Sequence, residues 1–174
     1  LWMKPASVPG SGTTYTMVSK LDADGGNAAR SYLFSYRNNG GIKELRVLLS
    51  DGSSSTSGAV TQDLGSGTWH HVAAVYTAAS GQVEFFADGS SVGTVSSLVT
   101  SLNNSAVPFQ VLALFGSTTN PQELFNGTLD EIGIWSRALT SGEISSLYNS
   151  GSGLSYPFSV ASTAHNLSLL GVGA

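Results

Sequence analysis

The sequence predicts an all-β chain: a two-sheet antiparallel β-sandwich with one short helix near its C-terminal end. Three observations carry this reading. Short stretches of alternating apolar residues recur along the chain, separated by clusters of Gly, Ser, Asn and Asp, which is the rhythm of half-buried strands joined by turns. Asp88-Gly89 sits between two such stretches, and this dipeptide accepts the positive φ angles of a type I′ hairpin turn. Helical spacing with a start signal occurs in a single stretch, residues 140–149.

Taken in order, residues 1–4 form the first strand, and Pro5, Pro9, Gly10 and Gly12 the loop after it. Residues 15–20 alternate as a half-buried strand. Residues 21–29 are a turn rich in Asp and Gly. Residues 31–37 place Tyr32, Phe34 and Tyr36 on one face, a stripe that reads first as core. A connection at residues 38–41 turns the chain back into a strand at residues 44–50, making a hairpin. Residues 51–58 read as a Ser/Gly/Thr loop, with a short strand at Val60. Residues 69–76 and 83–87 are two long strands, followed through Asp88-Gly89 by residues 92–95. Residues 96–106 are a polar connection and residues 107–115 another strand. Phe125, Leu129, Ile132, Ile134 and Trp135 mark a strand mostly buried on one face, with a bend at Asn126-Gly127. Thr140 stands three residues before Glu143, a capping box in which hydroxyl and carboxylate satisfy free backbone donors. Ile144, Leu147 and Tyr148 follow at helical spacing, and residues 149–153 stop the helix.

Composition narrows the function classes. The 174 residues suit one domain with a sizeable core, and 41% hydrophobic residues exclude a disordered chain. Charged residues are only 10%, against about 25% in average soluble domains, so Ser, Thr, Asn and Gly must supply the polar surface. A net charge of −4 without clustered Lys and Arg argues against nucleic acid as partner. No apolar run approaches the ~20 residues that span a bilayer, and there is no basic amphipathic helix, so no membrane insertion is expected. There is no cysteine, hence no disulfide and no thiolate metal site.

Two stretches carry a family resemblance. Residues 125–151, FNGTLDEIGIWSRALTSGEISSLYNSG, run as a Phe-x-Gly-x-Leu-Asp-Glu strand, an aromatic, an Arg-Ala-Leu-Thr exit, then Glu-Ile and Leu-Tyr on a short helix. Residues 68–93, TWHHVAAVYTAASGQVEFFADGSSVG, combine a Trp-x-His-Val-Ala strand with a strand ending in Asp-Gly. In this order and spacing they resemble laminin-G-like, concanavalin A-like jelly-roll domains. The resemblance implies a jelly roll over residues 1–155. Its first strand is expected to be missing or truncated, because family members carry a strand before the Trp-x-Lys-Pro element at Trp2. Residues 156–174 fall outside the family pattern as a C-terminal extension. Tyr156-Pro157-Phe158 and residues 167–172 read there as one or two extra strands, which pack on the domain, fill an open edge or pair with a neighbouring copy. Trp69 and Trp135 match framework positions and are expected to pack rather than bind.

The resemblance also implies a metal. In many related jelly rolls the Asp of the Asp-Glu strand holds a structural calcium together with backbone carbonyls. Asp130 matches that position, and the turn at Asp24 and Gly25 is expected to supply oxygens. The alternative is that Asp130 only bonds backbone amides near the helix. Asp22-x-Asp24-Gly25-x-Asn27 is not an EF-hand, since position twelve is Leu33 where a carboxylate is required.

Catalysis is not expected. Glucanases of this fold carry a Glu-x-Asp-x-(x)-Glu run that sets acid and nucleophile roughly 5–5.5 Å apart on one face, and the sequence has none. Glu84 and Asp88 are four apart, with Asp88 in a turn. Asp130-Glu131 and His70-His71 are adjacent pairs that face opposite ways on a strand. One of the two histidines is expected to make a structural hydrogen bond and the other to be exposed. A sugar surface needs aromatic, amide and charged groups in the open. Tyr36, Arg37, Asn38 and Asn39 at the hairpin end are therefore the candidate ligand-binding residues, since loops carry recognition. The expected function is a non-catalytic recognition module, extracellular or on a cell or virion surface, whose partner is a carbohydrate or glycoprotein surface. The first alternative is a structural block of a virion, fibre or surface layer, joined through its tail to other copies or to a larger parent chain. A glycoside hydrolase is the second.

Overall fold

The computed structural model describes residues 1–115 and 121–154 of the chain. The strand readings at Tyr156-Pro157-Phe158 and residues 167–172 lie outside the described residues. Strands β1 (Trp2–Pro5), β2 (Thr14–Leu21), β3 (Arg30–Asn39), β4 (Ile42–Ser50), β5 (Ser55–Thr61), β6 (His70–Thr77), β7 (Gln82–Ala87) and β8 (Ser90–Val95) come first. The short strands β9 (Gln110–Val111), β10 (Leu114–Phe115), β11 (Pro121–Gln122) and β12 (Gly127–Asp130) follow, then helix α1 (Ser141–Tyr148). They form two five-stranded sheets, ordered β12-β1-β6-β7-β8 and β5-β4-β3-β2-β9, with β10 and β11 as a separate hairpin. Paired strands run antiparallel throughout these sheets.

The two sheets stack because alternate residues of each are apolar on the facing side. Met3, Val72, Val83 and Phe85 of the first sheet meet Tyr15, Met17, Phe34, Tyr36, Leu45, Val47 and Leu49 of the second in one core. Each such side chain contributes roughly 1.5–3 kcal/mol when fully buried. The register of β2 on β3 shifts between Thr16 and Val18, and Met17, the extra residue, is fully buried. Helix α1 caps the outer side of the first sheet. Its capping box is formed as the sequence requires: Glu143 N donates to Thr140 Oγ1 at 3.2 Å, and Thr140 N donates to Glu143 Oε2 at 2.8 Å. Ile144 and Leu147 then pack with Phe86 and Leu139. Tyr148 stacks on Trp2 with centroids 5.8 Å apart, tying the helix to β1.

Several expectations change in detail. The β3–β4 hairpin closes with two residues, Gly40 and Gly41, both at positive φ (62° and 100°); it is a tight primed turn and not a four-residue connection. Asp88 and Gly89 (φ 48° and 78°) make the second such turn, as expected. Residues 55–58, read as loop, belong to β5, which pairs along β4 from Ser55 to Thr61. The strand expected at residues 107–115 is broken into β9 and β10, because Leu112 turns the chain at φ 67°. The strand expected to reach Trp135 ends at Asp130, where Glu131 takes φ 47°.

Candidate functional site

The side of β3 and β4 that faces away from the core carries a polar field. Tyr36 pairs with Leu45 facing inward, so the next pairs along the ladder, Ser35–Arg46 and Arg37–Glu44, face outward. Across the sheet, Thr16 continues the Ser35–Arg46 row on one side and Ala59 on the other. Thr14 and Thr61 flank Arg37 and Glu44 in the same manner. At one end the field is closed by Leu33, buried under Leu114 beside Leu48. Along its β2 side runs Glu123: its carbonyl accepts from Thr16 N at 2.9 Å, and its Oε2 from Thr16 Oγ1 at 3.1 Å.

Arg46 is the centre of this field. It is half-buried between small side chains. Arg37 donates to Glu44 at 2.7 Å, which uses that carboxylate locally. Arg46 has no ion pair within 4 Å among the described residues, and its Nε is buried without a hydrogen-bond partner there. Burial lowers its pKa, the Arg37 charge lowers it further, and Glu123 and Glu44 pull the other way. A guanidinium offers five N–H donors in a fixed fork. Here part of that fork is held desolvated and unused, with Ser35 and Thr16 fully buried on one side of it and Thr61 exposed on the other. Such a surface can receive a polyol or a carboxylate.

The sequence-predicted ligand residues divide. Arg37 borders the field. Tyr36 does not face a ligand: it is wholly buried, its hydroxyl accepting from Leu64 N at 3.2 Å and donating to Asp63 Oδ1 at 3.4 Å. The alternation that puts Arg37 outside puts Tyr36 in the core. Asn38 ties loops together, donating to Pro9 O at 3.0 Å and accepting from Gly41 N at 2.7 Å. Asn39 is exposed at the hairpin end. Reading the sequence missed Arg46, Ser35, Thr16 and Glu123. The signal for the first two was present in the polar positions of the β3–β4 alternation; Thr16 and Glu123 join only through tertiary contact.

The expected metal residues lie on different sheets. Asp130 ends β12, exposed, with Oδ1 accepting from Glu131 N at 2.8 Å. Asp24 and Gly25 follow β2, where Asp24 N donates to Asp22 Oδ1 at 2.9 Å. No three His, Cys, Asp or Glu side chains gather into a metal group among the described residues. A calcium at Asp130 would thus draw most of its six to eight oxygens from carbonyls and water.

The remaining candidates are structural. Glu84 accepts from Ser91 Oγ at 2.6 Å. Asp88 bonds His70 Nδ1 at 2.8 Å and His71 N at 2.9 Å. His70 makes the expected structural bond, but His71 is not exposed: it is buried against Trp2 and Tyr148. Burial, and then the Leu1 ammonium, push its pKa down to about 3, with Asp88 opposing. Trp69, expected to pack, is 41% exposed.

A family model for the concanavalin A-like lectin/glucanases superfamily matches residues 1–145. The chain belongs to this superfamily. Among curated proteins, this superfamily member is similar to human neuronal pentraxin-1, with 27% identity over 153 residues, covering 84% of the chain and 32% of that protein. It therefore spans about a third of the length of the curated relatives it matches. Its fold is similar to that of the native heptameric SAP-like pentraxin from Limulus polyphemus, at TM-score 0.64 and 20% identity over 84% of this chain and 66% of that one. It is also similar to the CBM40 of the Ruminococcus gnavus IT-sialidase bound to α2,3-sialyllactose, at TM-score 0.67 and 14% identity over 84% and 78% of the two chains.

Proposed function

We propose that this domain is a non-catalytic carbohydrate-binding module, working outside the cell, whose ligand sits on the outward polar field of β3 and β4. The observation that carries the reading is Arg46: a half-buried guanidinium without an ion pair among the described residues, on the outward side of β4. A charge kept in that condition lowers stability unless a ligand completes it. Superfamily membership and the fold shared with a sialyllactose-bound module support the choice of sugar over other ligands. Neighbouring charges balance, Arg37 and Arg46 against Glu44 and Glu123, so the face does not attract anions at long range. Selection is then local: a sugar carboxylate meets the fork of Arg46 in two parallel bonds, and ring hydroxyls meet Glu44 and Thr61 beside it. Sugars bearing a carboxylate are the preferred class, on glycans or on glycoproteins.

The test is a glycan array carrying neutral and sialylated structures, read with the wild-type chain and with Arg46→Met. Selective binding of acidic glycans, lost in the variant, is the expected result. Binding of no glycan, or binding indifferent to Arg46, would refute the reading.

A further inference from the structure

Three Asn-x-Ser/Thr triplets occur in the chain, at Asn103-Asn104-Ser105, Asn126-Gly127-Thr128 and Asn166-Leu167-Ser168. The triplet is the acceptor pattern for an N-linked glycan in proteins that enter a secretory pathway. In a chain rich in Ser, Thr and Asn some matches arise by chance, and the third lies outside the described residues. The structure separates the other two. An asparagine side chain carries two N–H donors on Nδ2. An N-glycan replaces one of them with a bond to sugar C1, so a folded acceptor can keep at most one in a hydrogen bond to protein. Asn103 uses both: Nδ2 donates to Ala28 O at 2.8 Å and to Arg30 O at 3.0 Å. Its backbone N donates to Ser50 O at 2.8 Å, and Ser105, the hydroxyl residue of its triplet, is buried and bonded to Ser31 Oγ at 3.0 Å. A sugar on Asn103 would break one of these bonds and part the loops around residues 28–30 and 50–52. Asn103 is a clamp between loops.

Asn126 meets the criterion. Among the described residues its Nδ2 donates once, to Ser7 Oγ at 2.9 Å. Asn126, Gly127 and Thr128 are all exposed. The position is nonetheless fixed: Phe125 before it is buried against Tyr15, and Asn126 O accepts from Ala6 N at 2.9 Å. The amide therefore stands on the surface at a defined place, with one N–H to give up and the hydroxyl residue of its triplet beside it in the open.

We propose that Asn126 is an N-glycosylation acceptor and that Asn103 is not. The donor is an oligosaccharide carried on a polyprenyl pyrophosphate. Its C1–O bond to pyrophosphate breaks, the bond from C1 to Asn126 Nδ2 forms, the lipid pyrophosphate leaves and Nδ2 loses one proton. The glycan stands at the start of β12, the outermost strand of its sheet, and screens the kind of edge that otherwise invites pairing with another chain. The proposal rests on the reading that the domain works outside the cell, and is independent of Arg46 and its ligand.

The full chain is expressed behind a cleavable secretion signal in a eukaryotic cell, and intact glycopeptides are mapped by mass spectrometry in cells and medium alike. Mapping by peptide keeps Asn166 apart from the other two. Because the signal is supplied, the result does not depend on where the native chain is sent. A glycan on the Asn126 peptide and none on the Asn103 peptide is the expected result. Asn126→Gln and Thr128→Ala should each remove it, and Asn126→Gln, a change at an exposed amide, should melt as the unglycosylated wild type does. Asn103→Gln should instead lower the melting temperature and leave the glycan on Asn126. A bare Asn126 peptide, or a folded, secreted chain with its glycan on Asn103, would overturn the proposal.

Discussion

Replacing Arg46 by methionine separates binding from stability. The substitution keeps an unbranched stem against the row of Thr16, Ser35 and Ala59 and removes only the guanidinium. In the folded protein that group is partly desolvated and lacks an ion pair among the described residues. Removing it should release on the order of 1 kcal/mol of uncompensated burial, equivalent to about 2–4 °C in Tm for a domain of this size. The same change deletes the charged donors to a sugar carboxylate, worth about 1.5–3 kcal/mol, or roughly a ten- to hundredfold rise in Kd. Differential scanning fluorimetry and isothermal titration with sialyllactose read the two effects on one sample. Arg46→Lys should keep part of the affinity, since an ammonium supplies charge without the planar fork. An Arg46→Met variant that melts several degrees lower and binds sugar as before would refute the reasoning, because Arg46 would then be an ordinary structural cation.

The remaining predictions concern the frame that holds the site. Thr140→Ala removes the capping box of α1 and should cost about 1 kcal/mol in urea unfolding. Glu143, held at about 2 by its Arg137 hydrogen bonds and then by Thr140 N, contributes stability that is present above its ordinary 4.5 and lost as pH falls through about 2; Glu143→Gln should flatten the acid limb of the melting curve in that window. His71 is kept neutral by burial, with its pKa at about 3 against an ordinary 6.5. The unfolded chain therefore takes up this proton first, and stability should decline as pH drops from 6.5 towards 3, a slope that His71→Phe removes. For calcium, the proposal is that the ion raises the wild-type melting temperature and not that of Asp130→Ala; a wild-type melt indifferent to chelator would remove the ion from the account.

What could be read from the sequence was what neighbouring residues decide among themselves. Thr140 and Glu143 make their capping box within four residues, and Asp88-Gly89 takes its positive φ angles from its own chemistry. The stripe of Phe34 and Tyr36 could be placed in the core from its period alone. Strand β5 could not: Ser-Thr-Ser-Gly-Ala-Val-Thr has weak strand propensity, and it is held by pairing with β4 and by packing against β8, where Val95 approaches so closely that Gly58 has no room for a Cβ. The break at Leu112 likewise follows from tertiary bonding, its N donating to Met17 O and its carbonyl accepting from Phe125 N. The site was half legible. Arg37 was picked out by its place at the hairpin end, but the same reasoning took Tyr36, whose side faces inward. The alternation marked Arg46 as outward but not as unpaired, because an outward arginine on a strand looks alike whether it is solvated or held without a partner. That difference is set by Arg37 turning to Glu44 and by Glu123 arriving from a segment 107 residues away from Thr16.

The most direct measurement is the backbone amide NMR spectrum of the ¹⁵N-labelled chain, titrated with α2,3-sialyllactose. Saturable shifts are expected at Thr16, Ser35, Arg37, Glu44, Arg46, Ala59 and Glu123 alone, with the amides around Trp69 and His70 unmoved. Shifts that cluster around Trp69, or at Asp130, or nowhere, would contradict the Arg46 reading.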